Sequence, residues 1–272
     1  MIAARASDRP AVLTVLLGAV VLAGACGAAH GPSTASPSLP IASPTPTTTA
    51  SRSLPSAASS PTARPSDGPL TLPAGVERQP LDAGTYAFDL GLRSAGKFPK
   101  VLVTLPEGWA NDDGWIVGPI EPAGYVTGLL LWDVVDVYAH PCQWQTPRVH
   151  PGPTVDDLVA ALVAQPLRNA TEPVDVTIDG YHGKRLEWSV PDDADFTDCD
   201  ARDPGGEPTF ESWTGAGWSS DRYQQGPGQV DRLWVVDVDG ARLVIDAQFM
   251  PEATEEQVAE LMEVVASLGF ER

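Results

Sequence analysis

Positive charge is scarce in this chain: its 272 residues carry 17 Lys and Arg against 36 Asp and Glu, a formal net charge of −19. Every acid except Asp8 and Asp67 lies beyond residue 75, whereas Arg5, Arg9, Arg52 and Arg64 lie before it, so the C-terminal part is the more acidic one. Such a surface repels phosphate backbones, which excludes nucleic acid as a partner; it favours cationic partners or serves solubility alone. Catalytic signatures are missing too. There is no GxSxG elbow and no HExxH pair, and Ser219 and Ser220 lack the glycines that frame a strained nucleophile turn. Cysteine is limited to Cys26, Cys142 and Cys199. No second ligand pair follows His140, Cys142 and His150 at zinc spacing, so neither a metal nor a cofactor is expected. The uncharged apolar run at residues 11–25 would extend roughly 22 Å as a helix, short of a bilayer core of roughly 30 Å, which argues against a permanent membrane span.

That run has a different meaning once its flanks are read. Arg5 and Arg9 precede it, as in an export signal. It closes with Leu22-Ala23-Gly24-Ala25-Cys26, which resembles the bacterial lipobox, with Ala23 where that pattern prefers leucine. The resemblance implies cleavage before Cys26 and a lipid on its sulfur, anchoring the chain by about 0.8 kcal/mol per buried methylene. A plain secretory signal is the competing reading. Residues 1–25 are thus expected to be a lipoprotein signal peptide. Residues 26–75, rich in Ser, Thr, Pro and Ala and without an aromatic, are expected to be a disordered tether stiffened by proline. Residues 76–272 are expected to fold. With Cys26 given to lipid, Cys142 and Cys199 remain to form a disulfide in an oxidising compartment. The expected partners are the membrane, through the anchor, and an unknown ligand or protein of the cell envelope.

Within the folded part, strand patterns dominate. Val101, Val103 and Leu105 alternate before Pro106, and GLLLWDVVDVYA (residues 128–139) is apolar enough for one central strand. Asp179-Gly180 and Asp239-Gly240 read as hairpin turns between alternating segments. Two helices are expected: one capped by Thr154 and ended by Pro166, the other opened by the capping box Thr254 to Gln257, with Leu261, Met262, Val265 and Leu268 on one stripe. An amphipathic helix beside hairpins must dock on a sheet, so the fold class is α+β: an antiparallel sheet packed against a few helices, in two layers.

The order of these pieces, "VTLPEGW", a helix, "IDGYHGKRLEWSV", "LWVVDVDGARLVIDAQF" and a closing helix ending "VVASLGF", resembles the PsbP-like fold of actinobacterial surface lipoproteins of the LpqN type. The resemblance spans about residues 86–270 and implies a binding or accessory role, with no functional residue to carry over.

Several constellations compete for function. Gly91 to Lys97 matches the glycines and lysine of a P-loop, but Phe98 and Pro99 follow where a hydroxyl and a helix are needed, so a loop is expected. The acids Asp192, Asp193, Asp195, Asp198 and Asp200 lack calcium-loop spacing and read as a solvated loop. Asp237 and Asp239 stand two apart on a strand, suited to a cation or to paired-carboxylate hydrolysis, although the turn alone explains Asp239. Trp109, Trp115, Trp144, Trp213 and Trp218 fall in or near Gly/Pro-rich segments, where aromatics build stacking surfaces; burial under loops is the competing reading. The expected candidate ligand surface is Trp144, Trp213, Trp218, Asp237 and Asp239. The expected function is a membrane-anchored extracytoplasmic lipoprotein with a non-catalytic binding domain; the alternative is an envelope hydrolase using paired carboxylates.

Overall fold

Two tight turns organise the molecule. Asp179-Gly180 and Asp239-Gly240 both adopt positive φ, 44° and 91° in the first and 53° and 86° in the second. That conformation matches the right-handed twist of flanking strands, and Asp and Gly tolerate it. The computed structural model describes residues 68–120, 125–217 and 221–272; Cys26, the signal and most of the tether expected up to residue 75 lie outside the described residues.

In chain order the elements are β1 (Leu70–Thr71), β2 (Gln79–Pro80), β3 (Gly84–Phe88), a single helical turn α1 (Gly91–Ser94), β4 (Val101–Leu105), β5 (Trp109–Asp112), β6 (Ile116–Pro119), β7 (Thr127–Trp132), β8 (Val134–Tyr138) and β9 (Arg148–Val149). They continue with α2 (Val155–Val163), β10 (Asn169–Ala170), β11 (Val174–Ile178), β12 (Tyr181–Ser189), β13 (Phe210–Gly215), β14 (Asp221–Gln224), β15 (Val230–Val238), β16 (Ala241–Phe249), α3 (Glu255–Ala266) and β17 (Gly269–Phe270). The fold is mainly antiparallel β with two helices longer than a turn among the described residues. β1 pairs parallel to β3, so the folded chain begins before residue 76, and Leu72 is already buried.

A nine-stranded central sheet runs β10-β12-β15-β16-β7-β6-β5-β2, with β11 on β12. Its middle strands alternate between two apolar faces. Trp234, Val236 and Val238 of β15 join Leu243 and Ile245 of β16 and Leu129 and Leu131 of β7 in one core. Leu233 and Val235 join Val244, Leu130 and Trp132 in the other. A sheet apolar on both faces must be covered on both, so the expected two layers become three.

The first face is covered by α3 and a small sheet, β1-β3-β4-β17. Thr254 and Gln257 form the capping box of α3, and Leu261, Val264 and Val265 are buried against the sheet. Trp109, expected near a loop, is instead buried at the start of β5, where its indole Nε1 donates to Glu260 Oε1 of α3 at 2.7 Å. Burial of an indole requires such a partner, and the helix supplies it.

The second face is covered by α2 and a third sheet, β14-β13-β8-β9. Thr154 and Asp157 cap α2, whose Leu158, Val159 and Leu162 are buried. Gln165 pins its end by donating to the carbonyls of Tyr138 and Ser212, both at 2.8 Å. The segment expected as one strand across residues 128–139 breaks at Asp133. β7 pairs with β16 in the central sheet, whereas β8 pairs with β13 and β9. Asp133 accepts from Lys97 Nζ at 2.8 Å at this change of sheet, and its carbonyl accepts from Ala216.

Candidate functional site

The second face is not covered throughout. α2 lies over β12 and β15, and the third sheet ends at its edge strand β14. Beyond β14 a cavity of about 640 Å³ opens over β6, β7 and the end of β16. Its floor is Ile116, Leu130, Trp132 and Gln248; Arg222 and Tyr223 of β14 form one wall, and Trp115 and Tyr125 another. Asp112, Asp113, Asp221, Arg202 and Gln225 complete the lining. The size suits a small organic ligand, and the mixture of aromatic surface with a few polar groups is that of a binding site.

Local sequence explains the walls. The ring of Tyr125 packs on Gly118, where a Cβ would lie 2.5 Å from its Cδ1, so a glycine is required on β6. The Tyr125 hydroxyl is buried with no hydrogen-bond partner among the described residues. Burial, reinforced by the Asp112 charge, pushes that phenol up to about 12, so it stays protonated. Burial also raises Asp112 itself, with Glu77 adding repulsion and Arg78 opposing it. Arg202 donates from Nη2 to Glu211 Oε1 at 2.8 Å and lies 3.5 Å from Asp221, which also accepts from Tyr138 at 3.2 Å.

Beneath the cavity lies a buried ionic network. Arg222 donates from Nε to Asp246 Oδ2 at 2.8 Å and from Nη2 to Asp231 Oδ1, and Nη1 donates to the Tyr223 carbonyl. Asp231 and Asp246 are both 0% exposed. Each retains one oxygen, Asp231 Oδ2 and Asp246 Oδ1, with no hydrogen-bond partner. Two buried carboxylates thus divide one guanidinium. Burial raises the Asp246 carboxyl, the nearby Asp231 charge adds to this, and Arg222 opposes it. Arg168 stands farther back. Its guanidinium lies 3.9 Å from the Trp188 ring centroid and 4.4 Å from that of Phe210, and burial lowers it to about 9.

From the cavity a column of tryptophans runs inward. Trp115 and Trp132 meet edge to face at 4.8 Å, Trp132 and Trp213 at 5.8 Å, and Trp213 stacks on Trp188 at 5.7 Å. Trp213, expected on a ligand surface, is 0% exposed and belongs to this core. A six-residue strand inside the third sheet carries it, and β13 faces the central sheet. Trp144 is half-buried, and its Nε1 is shared between the carbonyls of Asp200 and Thr209 at 3.1 and 3.0 Å, so it fastens loops beside the disulfide. Trp218, Ser219 and Ser220 lie outside the described residues.

Asp237 and Asp239 are exposed at a hairpin end and do not line the cavity. Asp237 accepts from the Gly240 amide at 2.7 Å and Asp239 from the Tyr181 hydroxyl at 3.1 Å. Both therefore serve the turn, which removes the arrangement on which paired-carboxylate hydrolysis there would rest. Cys142 and Cys199 form a disulfide, so Cys142 is no ligand beside His140 and His150. His150 pairs with Asp136 at 2.8 Å, and His140 Nδ1 accepts from the Gln143 amide. Among the described residues no group of three or more His, Cys, Asp or Glu is arranged to hold a metal. In the acidic loop, Asp195 accepts from Thr197 and Asp200 from the Gln145 amide, as turn residues do. The P-loop-like segment holds one helical turn, and its Lys97 is engaged by Asp133.

Sequence reasoning missed Arg222, Asp231, Asp246 and Gln248. A signal existed: Val244, Asp246 and Gln248 share the phase of a strand that is otherwise apolar inward, and a charge in that phase must be paired.

No protein-family model, no curated protein and no solved structure matches the chain. Among the described residues no helix is long and apolar enough to cross a membrane.

Proposed function

We propose that this chain is an extracytoplasmic lipoprotein, anchored through Cys26 to the outer face of the bacterial plasma membrane, whose folded domain binds a small ligand without transforming it. The cavity over β6, β7 and β16 carries the binding reading. Its arginines are committed to carboxylates: Arg202 to Glu211 and Asp221, Arg222 to Asp231 and Asp246. That commitment makes rigid walls, and among the described residues no serine, threonine or cysteine lines the cavity beside a base, the pairing that covalent hydrolysis uses. The lipid anchor rests on the sequence that ends at Cys26, and the Ser/Thr/Pro-rich residues between Cys26 and β1 act as its tether. The disulfide is compatible with an oxidising compartment outside the cytoplasm. The PsbP-like pattern of strands and helices agrees with a binding role.

A screen of neutral, cationic and anionic small molecules by thermal shift tests the cavity, run on the wild type and on Gly128→Leu. Gly128 lies on the floor strand, where an added Cβ would already stand 3.5 Å from Gln248 Nε2, so leucine displaces Gln248 from the cavity floor. Compounds that stabilise the wild type and not the variant support the reading; stabilisation blind to the substitution, or none from any class, overturns it. For the anchor, Cys26→Ala is expected to move the protein from the membrane to the soluble fraction, and unchanged membrane retention refutes it.

A further inference from the structure

Resting on the binding role proposed for this cavity, we infer that its ligand is a neutral sugar ring, a saccharide without phosphate or carboxylate groups. The first observation is Gln248, only 3% exposed and yet part of the cavity floor. Its Oε1 accepts from Arg222 Nη2 at 2.8 Å and from Gln229 Nε2 at 3.3 Å. Two donors on one atom fix the amide orientation, because the flipped amide would set donor against donor. Its Nε2 makes no hydrogen bond among the described residues, and it lies against Gly128, where an added Cβ would stand 3.5 Å from it. The floor therefore presents one committed donor.

The walls present complementary groups. The Tyr125 hydroxyl, also unpartnered, can donate or accept, and the Asp112 carboxylate accepts. A sugar hydroxyl both donates and accepts, so it answers all three. The ring of Tyr223, 49% exposed, and that of Trp115 supply flat surfaces against which the C–H face of a sugar packs.

Charge excludes the alternatives. An anionic ligand would meet Asp112, Asp113 and Asp221, and the two arginines beside them are already neutralised by Glu211, Asp231 and Asp246. The cationic head of a small organic ammonium would satisfy the carboxylates but offers no acceptor to Gln248 Nε2.

Isothermal titration and tryptophan fluorescence with the methyl glycosides of glucose, galactose and mannose, N-acetylglucosamine and trehalose test this, with glucuronate, glucose 6-phosphate and choline as charged counterparts. At least one neutral saccharide is expected to saturate below about 10 mM, with the charged compounds at least about tenfold weaker. Tyr223→Ala and Asp112→Asn, both on the cavity lining, are each expected to weaken that saccharide at least about tenfold while circular dichroism stays unchanged. Failure of every neutral saccharide to saturate overturns the sugar assignment. If a charged compound saturates in their place, the binding role stands and the sugar class falls. A saccharide that binds equally well to both variants removes this cavity as its site.

Discussion

The two faces of the central sheet are built from the same strands and solve different problems. On the first face α3 and the small sheet, with its Phe88, Val101 and Val103, close over Leu243 and Ile245 in one apolar core. On the second, beyond the apolar patch under α2, the strands carry Asp231, Asp246 and Gln248 inward, a guanidinium answers them, and a cavity remains. The first face contributes stability by area alone, at about 25 cal/mol per Å². The second spends area on groups whose desolvation roughly cancels their attraction, and such a network is retained for shape and specificity. On the binding role proposed above, stability and function are separated across a single sheet thickness.

Breaking the network should show this most strongly. Arg222→Ala strands two buried carboxylates and is expected to destabilise the domain by about 3–5 kcal/mol in urea unfolding. Replacing Arg222, Asp231 and Asp246 together by apolar residues of similar volume should recover most of that loss while abolishing ligand binding. On the first face no partner substitution rescues Leu261→Ala, expected to cost about 2–5 kcal/mol. A triple variant as unstable as Arg222→Ala would show that the two faces do not differ in kind.

The disulfide tests the second face's loops. Cys142 and Cys199 are 57 residues apart and tie the segment after β8 to the loop after β12. Their removal by double serine substitution is expected to lower stability by about 4 kcal/mol on chain-entropy grounds. A loss of this size that spares the first face in hydrogen exchange would sharpen the contrast.

The pH dependence should also belong to one face. The Asp246 carboxyl is raised from the ordinary 3.8 to about 7. For a raised carboxyl, the stability tied to its protonated form is fully present below about pH 4 and is lost as pH rises through about 7. The stability difference between wild type and Asp246→Asn should therefore fall across that window, and a difference independent of pH from 4 to 8 would contradict the raised carboxyl. The smallest effects should be equal on both faces. Thr254→Ala and Thr154→Ala each remove a capping box and are expected to cost about 1 kcal/mol in thermal unfolding.

How much of this was legible varies with the range of the interaction. The hairpins at Asp179-Gly180 and Asp239-Gly240, the helix caps at Thr154 and Thr254 and the inward set Val101, Val103 and Leu105 were readable because each is set within a few residues. The candidate site was almost wholly illegible. Trp144, Trp213, Asp237 and Asp239 satisfied every local expectation of a ligand surface, yet their partners are loop carbonyls, a tryptophan column and the turn itself. The split of residues 128–139 at Asp133 was equally hidden, since both halves read as apolar strand.

Composition, charge and residue pattern by themselves determined the acidic character and the local grammar of turns and caps, because these depend on residue type and short spacing; the pairing of Cys142 with Cys199 followed only once Cys26 was read as a lipid site. The tertiary structure alone decided which apolar face would stay open, and that Arg222, Asp231, Asp246 and Gln248, from three strands, would meet beneath it. The physical reason is that a buried charge is tolerated only beside its partner, and the partner's identity is set by strand order and register, which no local pattern encodes.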